Sequence, residues 1–111
     1  MSNLKEKEKS PLTGRMHKIT AADGSPLKFD GEYNITGRGT ALTLNFAENG
    51  LDDSRKSTEG WMNSIIDYKG KEYIIRGIEI HMSMHPKNVA ILIRELNQQE
   101  QELWDQQRQN Q

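Results

Sequence analysis

His81, Met82, Ser83, Met84 and His85 form the densest run of metal-capable side chains in the chain. On a helix, two histidines four apart face one way and can share a metal. At a strand end, as read here, they stand about 13 Å apart. Thioether ligands suit copper(I), but no carboxylate or thiol adjoins to complete a ligand set. The run reads as two core methionines with surface or helix-capping imidazoles. No metal and no cofactor is expected.

Gly37-Arg38-Gly39-Thr40 is a glycine-flanked arginine in a turn. Successive backbone N–H groups in such a turn can form an anion nest, and the guanidinium can add a bidentate phosphate contact. No helix follows, so the segment is not a P-loop. Its plainer reading is a hairpin loop in which glycine supplies positive φ and arginine is solvated. Asp52 and Asp53, with Asn49, lack the alternating oxygen ligands of a calcium loop. They read as a solvated connection.

Catalysis finds little support. His17, His81 and His85 are the available bases. No nucleophile elbow, HExxH motif or paired-carboxylate spacing accompanies them. Asn34-Ile35-Thr36 matches a glycosylation sequon, but without a signal peptide Asn34 reads as a strand residue.

Leu103-Trp104 is the remaining feature. It lies in a Gln-rich segment, 98–111, that continues a helical stripe past the rest of the apolar sequence. Leu96, Gln99, Glu100, Leu103 and Trp104 form the candidate face for a partner or a second copy. The alternative is that the helix bends back over a sheet.

Composition bounds the elements that hold these groups. The 111 residues carry 15 Lys+Arg, 16 Asp+Glu and no Cys, for a net charge of −1. One domain is expected. The missing cysteines exclude disulfide scaffolds, thiolate-metal centres and thiol catalysis. The charge balance argues against wholesale binding to nucleic acid or anionic membrane. No apolar run reaches the length of a membrane span. Residues 1–11 hold no apolar stretch that could act as a secretory signal, so a cytoplasmic protein without membrane contact is expected.

All apolar residues but Met1, Leu4, Leu103 and Trp104 fall within 11–97. The expected organisation is a flexible charged tail over 1–10, a single α+β domain over 11–97, and a Gln-rich helical extension over 98–111. Residues 16–21 read as a strand, and Asp23-Gly24 as a hairpin turn. Leu27 and Phe29 read as its return strand, and Asp30-Gly31 as a second turn. Tyr33 and Ile35 alternate next, followed by Leu42, Leu44 and Phe46. Residues 47–60 form a polar connection in which Asp52 or Ser54 caps a short helical turn. Residues 61–67 and 72–82 read as strands. On the second of these, Ile74, Ile78, Ile80 and Met82 share one face and Tyr73 and Ile75 the other, with Gly77 marking a bulge or close approach. Pro86 then opens a helix whose Val89, Leu92, Ile93 and Leu96 recur at helical spacing.

The expected fold is an antiparallel β-meander of five to six strands, an open sheet or a small barrel, with one long C-terminal helix. The leading functional expectation is a non-enzymatic protein-binding or inhibitory module. It would act through the C-terminal helix as a homodimer or on a larger protein. Small stand-alone domains of this kind are often regulators encoded by phages or mobile elements, acting on a host system. The alternative is a nucleic-acid or nucleotide-phosphate binder using Gly37, Arg38, Gly39 and Thr40. A third reading is a small enzyme with a histidine base, His81 or His85.

Overall fold

A computed structural model describes residues 16–81 and 88–109. The charged tail over 1–10, Arg15, Pro86 and the Met82–His85 part of the histidine–methionine run lie outside the described residues. Among the described residues, five antiparallel strands form one sheet, and one helix follows at the C-terminal side. The strands are β1 (Gly31–Ile35), β2 (Gly39–Asn45), β3 (Ile65–Tyr68), β4 (Lys71–His81) and β5 (Asn88–Glu95), and the helix is α1 (Gln98–Gln109). This is the α+β architecture expected from the sequence. The spatial order is β1-β2-β5-β4-β3, so β5 lies at the centre.

β5 corrects the expectation of a helix from residue 86 to 96. Asn88–Glu95 carries two periodicities at once. Val89, Leu92 and Ile93 fit a helix, while Val89, Ile91 and Ile93 alternate as a strand. The β-branched residues decide it, because they lose rotamer freedom in a helix and pack well on a pleated surface. Val89, Ile91 and Ile93 are all buried. They lie opposite Leu44, Leu42 and Thr40 on β2. On the other side they lie opposite Ile80, Ile78 and Ile75 of β4.

The face assignment along β4 is corrected by a bulge. The register with β5 shifts between Ile75 and Gly77. An extra residue exchanges inside for outside, so Ile75, Ile78 and Ile80 join one core with Tyr73 while Ile74 faces away. Gly77 also marks a close approach: an added Cβ would lie 3.1 Å from the Leu92 Cβ.

The inner face of the sheet holds the main core: Leu42, Leu44, Phe46, Ile66, Ile75 and the β5 residues, closed over by Leu27 and Trp61. Covering segments come from 19–29 and from the 46–64 connection, which carries short 3-10 turns at Ala47–Asn49 and Arg55–Thr58. Ser54 stands at the N-cap of the second turn without a side-chain capping bond. The expected strand over 61–67 begins only at Ile65. Asn63 has positive φ, and Trp61 is buried from a turn.

The expected strand over 16–21 reduces to one parallel bridge between Lys18 and Ile65. The Ile19 N–H donates to the Ile65 carbonyl (2.8 Å), and the Ile65 N–H to the His17 carbonyl (2.7 Å). Asp23-Gly24 does turn the chain, but its arms are not strands, and Gly31 opens β1 where a second turn was expected. Leu27 and Phe29 pack inward from irregular backbone. The buried Asn49 side chain holds that segment, accepting from the Lys28 N–H (2.8 Å) and donating to the Lys28 carbonyl (3.1 Å).

The sheet curls so that its two edges approach without pairing. The Phe29 and Tyr68 rings meet edge to face at 5.4 Å. Tyr68 donates its hydroxyl proton to Glu32, and Lys69 pairs with Glu32 at 3.1 Å. Side chains rather than a backbone ladder bridge the seam between β1 and β3, so the sheet stays open.

Candidate interaction surface

Helix α1 begins with a reciprocal cap. The Asn97 side chain accepts from the Glu100 N–H (2.8 Å), and the Glu100 carboxylate accepts from the Asn97 N–H (2.9 Å). Both bonds satisfy donors that the first helical turn leaves open. Arg94 of β5 then forks onto the same carboxylate at 2.7 and 2.8 Å. Glu100 is only 1% exposed. Burial pushes its carboxyl up, but the Arg94 fork and the Asn97 amide outweigh this and hold it below the ordinary glutamate value.

From that anchor the helix runs over the outer face of β3 and β4. Trp104 is 4% exposed and packs with Met16, Ile65 and Ile74, flanked by Leu96 and Leu103. Its indole N–H donates to the Glu72 carboxylate at 3.3 Å. The Arg108 guanidinium lies 5.0 Å from the Trp104 ring centroid and 3.2 Å from Glu72. Lys18 reaches Glu72 at 2.9 Å and Asp67 at 3.2 Å. Burial raises the Glu72 carboxyl, and these donors and cations together bring it below its usual value.

The expectation of a helix running past its own domain is therefore corrected. Leu103 and Trp104 have an intramolecular surface, because the chain leaves the end of the central strand β5 and α1 folds back over the outer face, where Met16, Ile65 and Ile74 receive Trp104. Of the five residues proposed for partner contact, Leu96 and Leu103 are half-buried, Glu100 and Trp104 are buried, and Gln99 alone is exposed.

The depressed carboxyls set the acid response. Glu72 and Glu100 have folded values below the ordinary 4.5. Such groups add stability above the unfolded value, and that stability is lost as pH falls through the folded value. The thermal midpoint is expected to hold from neutral pH to about pH 5 and to fall below about 4.5. Glu72→Gln should flatten part of that fall in a calorimetric pH series.

Gly37-Arg38-Gly39-Thr40 closes the β1–β2 hairpin. The Arg38 N–H donates to the Ile35 carbonyl at 2.9 Å, which commits to the turn an amide that an anion nest would use. Gly39 answers to packing. A Cβ there would sit 2.3 Å from the Ile93 carbonyl oxygen, at a φ of +127°. Gly39→Ala is expected to cost about 2–4 kcal/mol, through forced separation of β2 from β5 and backbone strain. Chemical denaturation gives that difference directly. The Thr40 hydroxyl donates to the Asn34 side chain at 3.2 Å.

A basic stacking face is not assembled among the described residues. Lys18, Lys69, Lys71 and Arg94 are each paired with a carboxylate. Tyr68 and Tyr73 meet edge-on against the core, ring centroids 6.2 Å apart, while Tyr33 lies on the opposite face. No group of three or more potential metal ligands occurs among the described residues. No helix among them is long and apolar enough to cross a membrane.

What remains open is the outer face beyond α1. Tyr33 is 60% exposed and Ile35 39%. Tyr33 lies opposite Ala41 of β2, which lies opposite Leu92 of β5, which lies opposite Gly77 of β4. Small residues along that row leave a shallow cleft of about 240 Å³, lined by Ile35, Ala41, Gly77 and Leu92 with Arg38 and Glu79 at its rim. β1 is also an edge strand. The sequence carried a signal for this surface: Tyr33 and Ile35 alternate with Glu32 and Asn34 in a short strand between two turns, leaving their face undetermined. No family model, curated protein or solved structure matches the chain.

Proposed function

We propose that this chain is a non-enzymatic protein-binding domain whose contact surface is the β1 edge and the adjoining outer face of the sheet. The observation that carries this reading is the exposure of Tyr33 and Ile35 on an edge strand. Edge strands are usually blunted by lysine, proline or a bulge, because their free backbone groups recruit other strands. Gly31–Ile35 has no lysine and no proline, and its register with β2 is unbroken. An aromatic and a β-branched side chain on the part of β1 past Glu32, which is itself tied to Tyr68 and Lys69 across the seam, suit strand addition, in which main-chain bonds give affinity and alternate side chains give selectivity.

The phosphate-binding reading has less support, since Gly39 is explained by packing and the sheet's cations are largely paired. The helix-mediated reading has lost its premise. Tyr33→Ser/Ile35→Ser is expected to keep the wild-type melting temperature within a few degrees and to abolish the assemblies that native mass spectrometry detects. Gln99→Lys on α1 is expected to leave them in place. Assemblies indifferent to the β1 pair, or dispersed by Gln99→Lys, would overturn the proposal.

A further inference from the structure

We infer that Asn49 is a covalent modification site, deamidating spontaneously when the 45–50 turn opens and shielded from that reaction in the closed fold. Asn49-Gly50 is the one asparagine–glycine pair in the 111 residues. In an open chain such a pair is chemically labile, because glycine has no Cβ to keep its backbone nitrogen away from the asparagine side chain. Hydroxide takes the Gly50 amide proton, and the nitrogen attacks the Asn49 Cγ. An N–Cγ bond forms, the Cγ–Nδ2 bond breaks, and Nδ2 leaves as ammonia with a proton drawn from water. Water then opens the resulting succinimide at either carbonyl. One product is aspartate. The other is isoaspartate, in which the main chain runs through the side-chain carbonyl. The net change is amide plus water to carboxylic acid plus ammonia, with no oxidant or reductant.

The fold requires this labile pair and also protects it. Gly50 caps the Ala47–Asn49 turn at a φ of 67°, a left-handed conformation that suits glycine. A Cβ there would lie 3.0 Å from the Ala22 Cβ. Position 49 needs a side chain that both accepts and donates. Asn49 Oδ1 accepts from the Lys28 N–H at 2.8 Å, while Nδ2 donates to the carbonyls of Lys28 (3.1 Å) and Asn45 (3.0 Å). The Asn49 carbonyl accepts from the Ala22 N–H at 2.9 Å. With Asn49 only 2% exposed, Cγ cannot swing toward the Gly50 nitrogen without leaving buried polar groups unsatisfied. The nucleophile is committed as well. The Gly50 N–H donates to the Ala47 carbonyl at 3.0 Å, and an amide so bonded gives up its proton less readily. Deamidation therefore runs through opened molecules, as amide exchange does. Its products no longer fit. Aspartate sets a carboxylate oxygen against the Lys28 and Asn45 carbonyls where a donor stood, and isoaspartate lengthens the main chain beside Gly50. Openings that would otherwise be reversible thus become permanent loss.

The test holds the full chain at mildly alkaline pH, with and without unfolding concentrations of guanidinium chloride, and follows intact mass and peptide maps over time. In the unfolded chain, Asn49 is expected to exchange NH2 for OH ahead of every other asparagine. Gly50→Ala should slow that exchange, and because it is read in denaturant, the strain of alanine at this φ does not enter. In native buffer, Asn49 is expected to deamidate more than about tenfold slower than in denaturant. After the denaturant is removed, the deamidated fraction should unfold at a lower midpoint than the unmodified fraction carried through the same steps. Native deamidation within about tenfold of the unfolded rate would overturn the inference, since the fold would then offer no shield. So would another asparagine reacting ahead of Asn49, or an unchanged rate in Gly50→Ala. A deamidated fraction with the wild-type midpoint would equally sink it, because the modification would then leave the fold untouched.

Discussion

Trp104→Ala is expected to destabilise the monomer by about 3–5 kcal/mol, the cost of removing a large buried aromatic and leaving a cavity. The ring contributes to three interactions at once. It fills the space between Ile65 and Ile74, it gives Glu72 an N–H donor, and it lies under Arg108. Without it, Glu72 keeps its cations but loses its neutral partner, and α1 loses the face that holds it to the sheet. The variant should unfold at a lower denaturant midpoint. Amides of 98–109 should exchange faster than those of β5. This outcome distinguishes the structure from the sequence-level expectation, in which removing Leu103 and Trp104 abolishes assembly while the fold survives.

Arg94→Met is the second large effect. It leaves the Glu100 carboxylate buried with the Asn97 amide as its hydrogen-bond donor and the Arg76 charge as its remaining cation. Breaking one side of such a pair costs about 3–5 kcal/mol when both partners are buried. The Arg94 side chain is 34% exposed, so solvent already screens part of the interaction and about 2–3 kcal/mol is expected at neutral pH. The pH dependence carries the sign. In the wild type the Glu100 carboxyl sits below 4.5, so its contribution exists at neutral pH and disappears in acid. With Arg94 gone, the fork that opposes burial is lost, and the carboxyl rises from its wild-type position while the Asn97 amide still holds it down. The variant then loses less stability than the wild type as pH falls through the range in which Glu100 protonates. The two stability curves should converge toward pH 4. A constant gap across that range would show that the loss is packing by the Arg94 stem and not charge. Glu100→Gln retains a side chain able to complete the cap, and should cost less than Arg94→Met at neutral pH.

These two residues also mark where the sequence was legible and where it was not. The existence of a sheet, its hairpin at Gly37–Gly39, the core strand of Leu42, Leu44 and Phe46, and the bulge at Gly77 all follow from short-range rules of alternation and turn chemistry. The helix start was also written in the sequence, as Asn97 followed three residues later by Glu100. The stronger-looking stripe from Val89 to Leu96 masked it. That stripe fits two periods, and only its β-branched content separates them. Once β5 is a strand, the gap at Gln99 and Glu100 ceases to be a break in a helix and becomes its first turn.

Other features had no local signature. Trp61 is buried from a turn because the 46–64 connection crosses the inner face, a consequence of β5 lying between β2 and β4. Asn49 bonds to the backbone of Lys28, 21 residues away, so nothing near it in sequence announces that role. The candidate surface was half legible. Tyr33 and Ile35 stood out as a strand, but their exposure depends on which part of the outer face α1 covers. The helix covers β3 and β4, anchored by Arg94 and Trp104, and leaves β1 and β2 open.

Amide hydrogen exchange across a protein dilution series tests the central claim most directly. The account predicts that exchange over 31–35 slows as concentration rises while exchange over 98–109 does not change, because assembly covers the surface around Tyr33 and Ile35 and α1 is already committed to its own sheet. Concentration-dependent protection of 98–109, with 31–35 unaffected, would contradict it and return the contact surface to the helix.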